Sequence, residues 1–306
     1  LNFMYKYIYK MNSINNLIIK LASLLPKSLI RPLAFNYVAG ESLDSAIKVV
    51  ESLNSQGLAV TLDILGEHTK TLNDSKQITR DYLNILSEIN SRSLNSNISV
   101  KPTHLGLDVS IDAFRDNLKL LLNNKFKNFV RIDMESSLVT DQTINTWLEL
   151  YSNNNSGIVI QAYLKRSIHD IKKIHKNNID FNVRICKGIY RENKDIAFKD
   201  PESINSNYLK LACYCFENNI YVCMATHDGP LLERLYKLIE QLRPDPKRFE
   251  FQVLYGVPME RYIARNKRNK FKTRVYIPFG KDWHPYSIRR MKENPKILAY
   301  VIKNFI

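Results

Sequence analysis

The chain is predicted to be an α/β protein, a (β/α)8 TIM-type barrel with an additional N-terminal helical segment. Three observations predict this. Eight short β-type runs recur along the sequence, with starts spaced roughly 24–40 residues apart. The segments between them mostly carry apolar residues at helical spacing. Many of the runs end in a polar residue, as the strands of a barrel do where they face a shared mouth. Alternating strands and helices form parallel sheets with helical crossovers. Eight such units in about 240 residues match the size of a closed barrel. A doubly wound sheet is the alternative, but no G-x-G-x-x-G follows the first run.

Residues 1–57 precede the first strand and form the N-terminal helical segment; residues 58–306 form the barrel. The mix of Leu, Ile and Lys over residues 14–33 suits an amphipathic helix lying on a surface. "ESLDSAIKVVESLNSQG" (41–57) reads as a helix ended by Gly57. The β-type runs are "LAVTLDIL" (58–65), "NISVKP" (97–102), "FVRIDME" (129–135) and "GIVIQAY" (157–163). The other four are "FNVRICK" (181–187), "IYVCMAT" (220–226), "RFEFQVL" (248–254) and "TRVYIP" (273–278). Helical spacing is clearest over 79–90, 143–151 and 231–242.

Composition narrows the function classes. Hydrophobic residues make up 44% and charged residues 25%, which is ordinary for a soluble globular protein. No apolar run approaches the length of a spanning helix. The net charge of +15 fits an anionic membrane surface or anionic ligands. No nucleic-acid motif accompanies it, so nucleic acid is not an expected partner. The four cysteines form no C-x-x-C pair, and no histidine stands at finger spacing, so no metal site is expected. Cysteines within apolar runs also suit a reducing compartment.

Asp63, Lys101, Asp133, Gln161, Lys187, His227 and Tyr276 stand at or just past strand ends. Seven polar groups on one barrel rim converge, which points to a site. Parity adds a polar lumen. Thr61 and Asp63 share a strand face, as do Arg131 and Asp133, Glu250 and Gln252, and Arg274 and Tyr276. Val130, Ile132, Val275 and Ile277 take the opposite face, suited to packing under helices. In "RVYIPFGKDWHPYSIRRMKENP" (274–295), Tyr286, Arg289, Arg290 and Glu293 share one helix face. That face is either solvated or a carboxylate clamp built from guanidinium forks.

"SVKPTHLGLD", "VRIDMES", "VRICKGIYRE", "ATHDG", "FEFQVLYGVP" and "RVYIPFGKDWHPYSIRRMKENP" together resemble the proline dehydrogenase family, in its monofunctional form. The resemblance runs in order from about Leu58 to Ile306. It implies a (β/α)8 barrel with FAD at the C-terminal strand ends. The implied reaction is FAD-dependent oxidation of L-proline to Δ1-pyrroline-5-carboxylate by hydride transfer to flavin N5. The resemblance assigns Arg289, Arg290 and Lys101 to the proline carboxylate, with Glu293 orienting an arginine. Tyr276 and Leu254 would close over the ring, and Glu67 resembles a gate residue. Gln161, Arg184 and Lys187 match positions at the isoalloxazine, with Arg184 near N5. Gly188, Ile189, Thr226 and His227 match positions for the rest of FAD, and Asp133 and Met134 complete the rim. Asp133 is read as an orienting partner. Arg184 and Lys187 both reach a flavin only if the strand ends near Cys186.

The resemblance also implies a membrane quinone as electron acceptor. No second catalytic domain follows Ile306, so a separate pyrroline-5-carboxylate dehydrogenase is the expected next enzyme. The expected location is cytoplasmic, with peripheral contact at the inner face of the membrane. Four residues depart from the family pattern, Cys186, Ile189, Asp228 and His284: Ile189 would crowd a flavin phosphate or shift it, and Asp228 would place negative charge beside an anionic cofactor. Three alternatives remain at this point. A hydroxyproline dehydrogenase would favour a small residue at Tyr276. A barrel aldolase would use Lys187 as a Schiff base. A basic binding protein would need none of the polar strand ends.

Overall fold

A computed structural model of the chain describes residues 27–152, 155–177 and 180–293. Most of the surface helix expected over residues 14–33 lies outside them. Eight parallel strands close into a ring in sequence order. They are β1 (Ala59–Ile64), β2 (Ser96–Val100), β3 (Val130–Ile132), β4 (Ser156–Gln161), β5 (Asn182–Cys186), β6 (Tyr221–Ala225), β7 (Phe249–Leu254) and β8 (Lys272–Phe279). β8 pairs with β1 over six residues, from Ala59 opposite Arg274 to Ile64 opposite Phe279.

Helices α1 (Lys27–Ala34) and α2 (Leu43–Ser55) come first. The crossovers are α3 (Leu72–Ser91), α4 (Ile111–Leu122), α5 (Ser137–Leu150), α6 (Ser167–His175), α7 (Pro201–Glu217), α8 (Gly229–Leu242) and α9 (Glu260–Arg268). α10 (Trp283–Glu293) follows β8. Several helices start on a side-chain cap at the mouth of the barrel. Thr71 accepts from Asp74 N (3.1 Å), Ser110 from Ala113 N (3.0 Å) and Asp228 from Leu231 N (3.0 Å). These caps start α3, α4 and α8 in the loops that follow β1, β2 and β6.

The outward strand face is apolar and dry. Val60, Leu62, Ile98, Val100, Val130, Ile132, Val275 and Ile277 are all buried against the helices. Ala46, Ile47 and Val50 of α2 join the same core. Residues 36–41 then close against the end of β8. Ala39 N donates to Pro278 O (2.9 Å) and Gly280 N to Gly40 O (3.0 Å). Trp283, at the start of α10, donates from Nε1 to Glu41 (2.8 Å) and meets Phe35 edge-on. No helix among the described residues is long and apolar enough to cross a membrane.

Candidate active site

The inward strand face is polar, as parity predicts, and its side chains bond across the barrel in two layers. The lower layer lies toward the strand N-termini. There Arg274 Nε donates to Glu250 (2.7 Å) and Arg274 Nη1 to Val60 O (2.6 Å). Gln252 donates to the same Glu250 (2.6 Å), and Lys272 approaches it at 3.1 Å. Burial would raise the Glu250 carboxyl, but Arg274 and Lys272 hold it well below the usual range. Arg131 crosses the lumen to the backbone carbonyls of Ile158 (3.1 Å) and Asn182 (2.9 Å), and to Cys223 Sγ (3.3 Å). It crosses over Gly157, where a Cβ would stand 2.5 Å from Arg131 Nη1 and 2.3 Å from Asn182 O.

The upper layer lies at the mouth. Lys101 Nζ pairs with Asp63 (2.7 Å), whose other oxygen accepts from Tyr82 OH of α3 (3.2 Å). Burial would lower the Lys101 pKa, but Asp63, Asp133 and Glu67 carry it above its ordinary value. Asp133 accepts from Ser99 Oγ (2.7 Å), Arg184 Nη1 (2.8 Å) and Tyr276 OH (3.2 Å). Arg184 also donates to Ser99 Oγ (3.1 Å) and lies 5.2 Å from the centre of the Tyr276 ring. Its Nε and Nη2 are buried with no hydrogen-bond partner among the described residues. A buried guanidinium with two donors left over is costly. It suits a flat ligand that brings acceptor atoms into the lumen.

The structure therefore brings Lys101, Asp133, Arg184 and Tyr276 into one network. Leu254, at the end of β7, stands opposite Tyr276 in the sheet register. Glu67 lies in the loop after β1, close enough to Lys101 to raise its pKa. Met134 is buried beside Asp133. Gln161 ends β4 and donates from Nε2 to Glu135 O (2.8 Å). β5 ends at Cys186, so Lys187 leaves the strand pattern and pairs with Asp228. Gly188 has a φ of +100°, and a Cβ there would run into the Tyr163 ring at 2.1 Å. Ile189 is 61% exposed. Thr226 is buried and accepts from Asp228 N (3.2 Å). Partial burial, then the charges of Arg290 and Lys187, lower the His227 pKa. Arg290 lies 5.3 Å from the centre of the Tyr286 ring, one turn away on α10. Arg289 and Glu293 also lie on α10.

Asp228 departs from what its charge alone suggests. It caps α8 and pairs with Lys187, so its charge is answered within the chain. The same pair ties up Lys187 as a Schiff-base candidate. Sequence reasoning missed Ser99, Tyr82 and Glu135. Ser99 shares the parity of Lys101, and Glu135 falls inside "VRIDMES", so each had a signal. Tyr82 sits on a crossover helix and gave none.

A family model described as "Proline dehydrogenase" matches residues 46–301. The chain is 33% identical over 276 residues to "Proline dehydrogenase 1" of Bacillus subtilis subsp. natto, covering 89% of this chain and 90% of that protein. It is 28% identical over 284 residues to "Proline dehydrogenase" of Deinococcus radiodurans, covering 90% of each. Among solved structures, it resembles proline utilization A (PutA) from Bdellovibrio bacteriovorus inactivated by N-propargylglycine. That likeness has a TM-score of 0.79 at 24% identity and covers 89% of this chain. It shows the fold, and the chain spans 35% of that larger protein.

Proposed function

This chain belongs to the proline dehydrogenase family, which makes it an oxidoreductase acting on proline, and we propose that it oxidises L-proline to Δ1-pyrroline-5-carboxylate with FAD. The observation that carries the finer reading is Arg184. Among the described residues, two of its buried nitrogens have no hydrogen-bond partner, against one of Arg131 and none of Arg274. Bound FAD would supply the hydride acceptor, N5 of its ring, for the hydrogen on C5 of proline. A reduced flavin gains negative charge, and Arg184, Gln161 and Lys187 are the donors this chain offers to it. Met134, Gly188, Ile189, Thr226 and His227 would hold the rest of the cofactor.

Arg289, Arg290 and Lys101 would fix the substrate carboxylate, with Glu293 orienting an arginine and Glu67 closing the mouth. Asp63 tempers this clamp, because Lys101 reaches the substrate only while sharing its charge with Asp63. Tyr276 and Leu254 would cover the pyrrolidine ring and exclude water. Asp133 holds Arg184 and Tyr276 by their polar ends, so it orients and does not need to take a proton. The amine nitrogen must be neutral for its lone pair to assist loss of hydride from C5. A membrane quinone would take the electrons, and a separate pyrroline-5-carboxylate dehydrogenase would take the product. The catalytic barrel would comprise residues 58–306. The segment 1–57 would help the protein touch the inner face of the membrane from the cytoplasm.

Spectroscopy tests the reading. Protein reconstituted with FAD should absorb near about 450 nm and bleach when L-proline is added. Protein that stays colourless after reconstitution sinks it. Borohydride trapping of substrate on Lys187 would instead select the aldolase. Flotation with anionic liposomes tests the membrane role, since a protein lacking residues 1–35 should float less than the full chain.

A further inference from the structure

The loops that leave β1, β2 and β3 are joined to the end of β4 by a line of hydrogen bonds above the lumen. Glu135 stands at its centre and is 2% exposed. Its carboxylate accepts from both Thr103 N (2.8 Å) and Thr103 Oγ1 (2.7 Å). Its carbonyl accepts from Gln161 Nε2 (2.8 Å). Thr103 reaches the other way. Its Oγ1 accepts from His68 N (3.1 Å), and its carbonyl accepts from Thr69 N (3.2 Å) and Thr69 Oγ1 (2.9 Å). His68 Nδ1 lies a further 2.6 Å from Asp108.

Every link stands beside a residue assigned to a ligand. Glu67 adjoins His68, Lys101 precedes Thr103 by two, Asp133 precedes Glu135 by two, and Gln161 is itself a link. Burying a carboxylate is expensive, and Glu135 has no cationic partner within salt-bridge distance among the described residues. An acceptor-only group is what the site needs, because Thr103 presents two donors to it. We propose that Glu135 is a positioning residue whose bond pair with Thr103 holds Lys101 and Glu67 in register with Gln161. The substrate and cofactor sides named here rest on the proline and FAD reading above.

Three variants test it from both sides of the bond. Thr103→Val removes the hydroxyl at similar volume, Thr103→Ser keeps it, and Glu135→Gln weakens the acceptor. Thr103→Val and Glu135→Gln should each raise KM for L-proline and Kd for FAD by about 3- to 30-fold. Thr103→Ser should stay within about twofold, and the double variant should add little to either single one. Hydrogen exchange over residues 66–70 should quicken in Thr103→Val, with or without substrate. The proposal is overturned if Thr103→Val matches wild type in both constants and in exchange, or if Thr103→Ser is as damaging as Thr103→Val. Should Glu135→Gln fail to fold, the two threonine variants decide. Wild-type protein that binds FAD and ignores proline would sink the proposed reaction, while FAD affinity and exchange still judge Glu135.

Discussion

Both layers of the lumen contain arginine, acid and small polar groups, and they differ in what is left over. In the lower layer, Arg274 spends its donors on Glu250 and Val60, and Arg131 spends its terminal nitrogens on two carbonyls and neighbouring side chains. Among the described residues, Arg131 keeps only Nε without a hydrogen-bond partner. Burial, with Arg184 and Arg274 nearby, still pulls its pKa down to about 10. In the upper layer, Arg184 places Nη1 on Ser99 and Asp133 and leaves two nitrogens without a hydrogen-bond partner among the described residues. A polar lumen is therefore not in itself the mark of a site. Unspent bonding capacity at the open end is.

The sharpest way to break this contrast is Arg184→Gln. It should lower kcat/KM for proline by about 1000-fold or more, because a charge and several bonds to it vanish together. The melting temperature should stay near wild type. A variant that instead unfolds would place Arg184 with the lower layer. Glu250→Gln should do the opposite. Leaving Arg274 buried beside a neutral amide should cost about 3–5 kcal/mol of stability in denaturant unfolding. Its kcat/KM, measured on folded protein, should stay within about threefold of wild type.

Arg290→Lys and Arg289→Lys probe the mouth rather than the lumen. Each keeps the charge and loses the fork, so each should cost on the order of 2–4 kcal/mol in kcat/KM with FAD content unchanged. Kinetics within about threefold of wild type would return both residues to a solvated basic face. The smallest expected effect concerns His104, which lies buried edge-on to Tyr82. Burial and then the charge of Lys101 lower its pKa to about 3. The unfolded chain takes up that proton near about pH 6.5, so the contribution is full above that pH and is lost as pH falls toward 3. His104→Gln should therefore flatten the fall in unfolding free energy between pH 7 and 5 by about 1–2 kcal/mol. An unchanged slope would show that other groups carry it.

Much of the fold was legible because barrel strands are short apolar runs bounded by turns. All eight appear where expected, shifted by a few residues. Helix α3 shows the limit of periodicity. It begins at Leu72 rather than near residue 79, because Thr71 caps it and its first two turns are polar. Parity revealed the lumen, and the ordered motifs named most of the mouth. Pairings across the ring were not legible, since Arg184 and Ser99 stand 85 positions apart and meet only once the sheet has closed. Asp228 teaches the same lesson. Its charge suggested repulsion of a cofactor, and its role as a helix cap paired with Lys187 appears only in three dimensions.

The seal between residues 39–40 and 278–280 sets a timetable for synthesis. Ala39 and Pro278, which it joins, lie about 240 positions apart, among the longest separations the chain brings together. A ribosome releases the early partner long before the late one exists. Until β8 emerges, β1 and β7 are bare sheet edges, and bare edges invite pairing with the wrong neighbour. Residues 39 and 40 thus wait for the end of β8 before this part of their backbone is satisfied. A chain that stalls ahead of residue 272 holds seven strands and no closed ring.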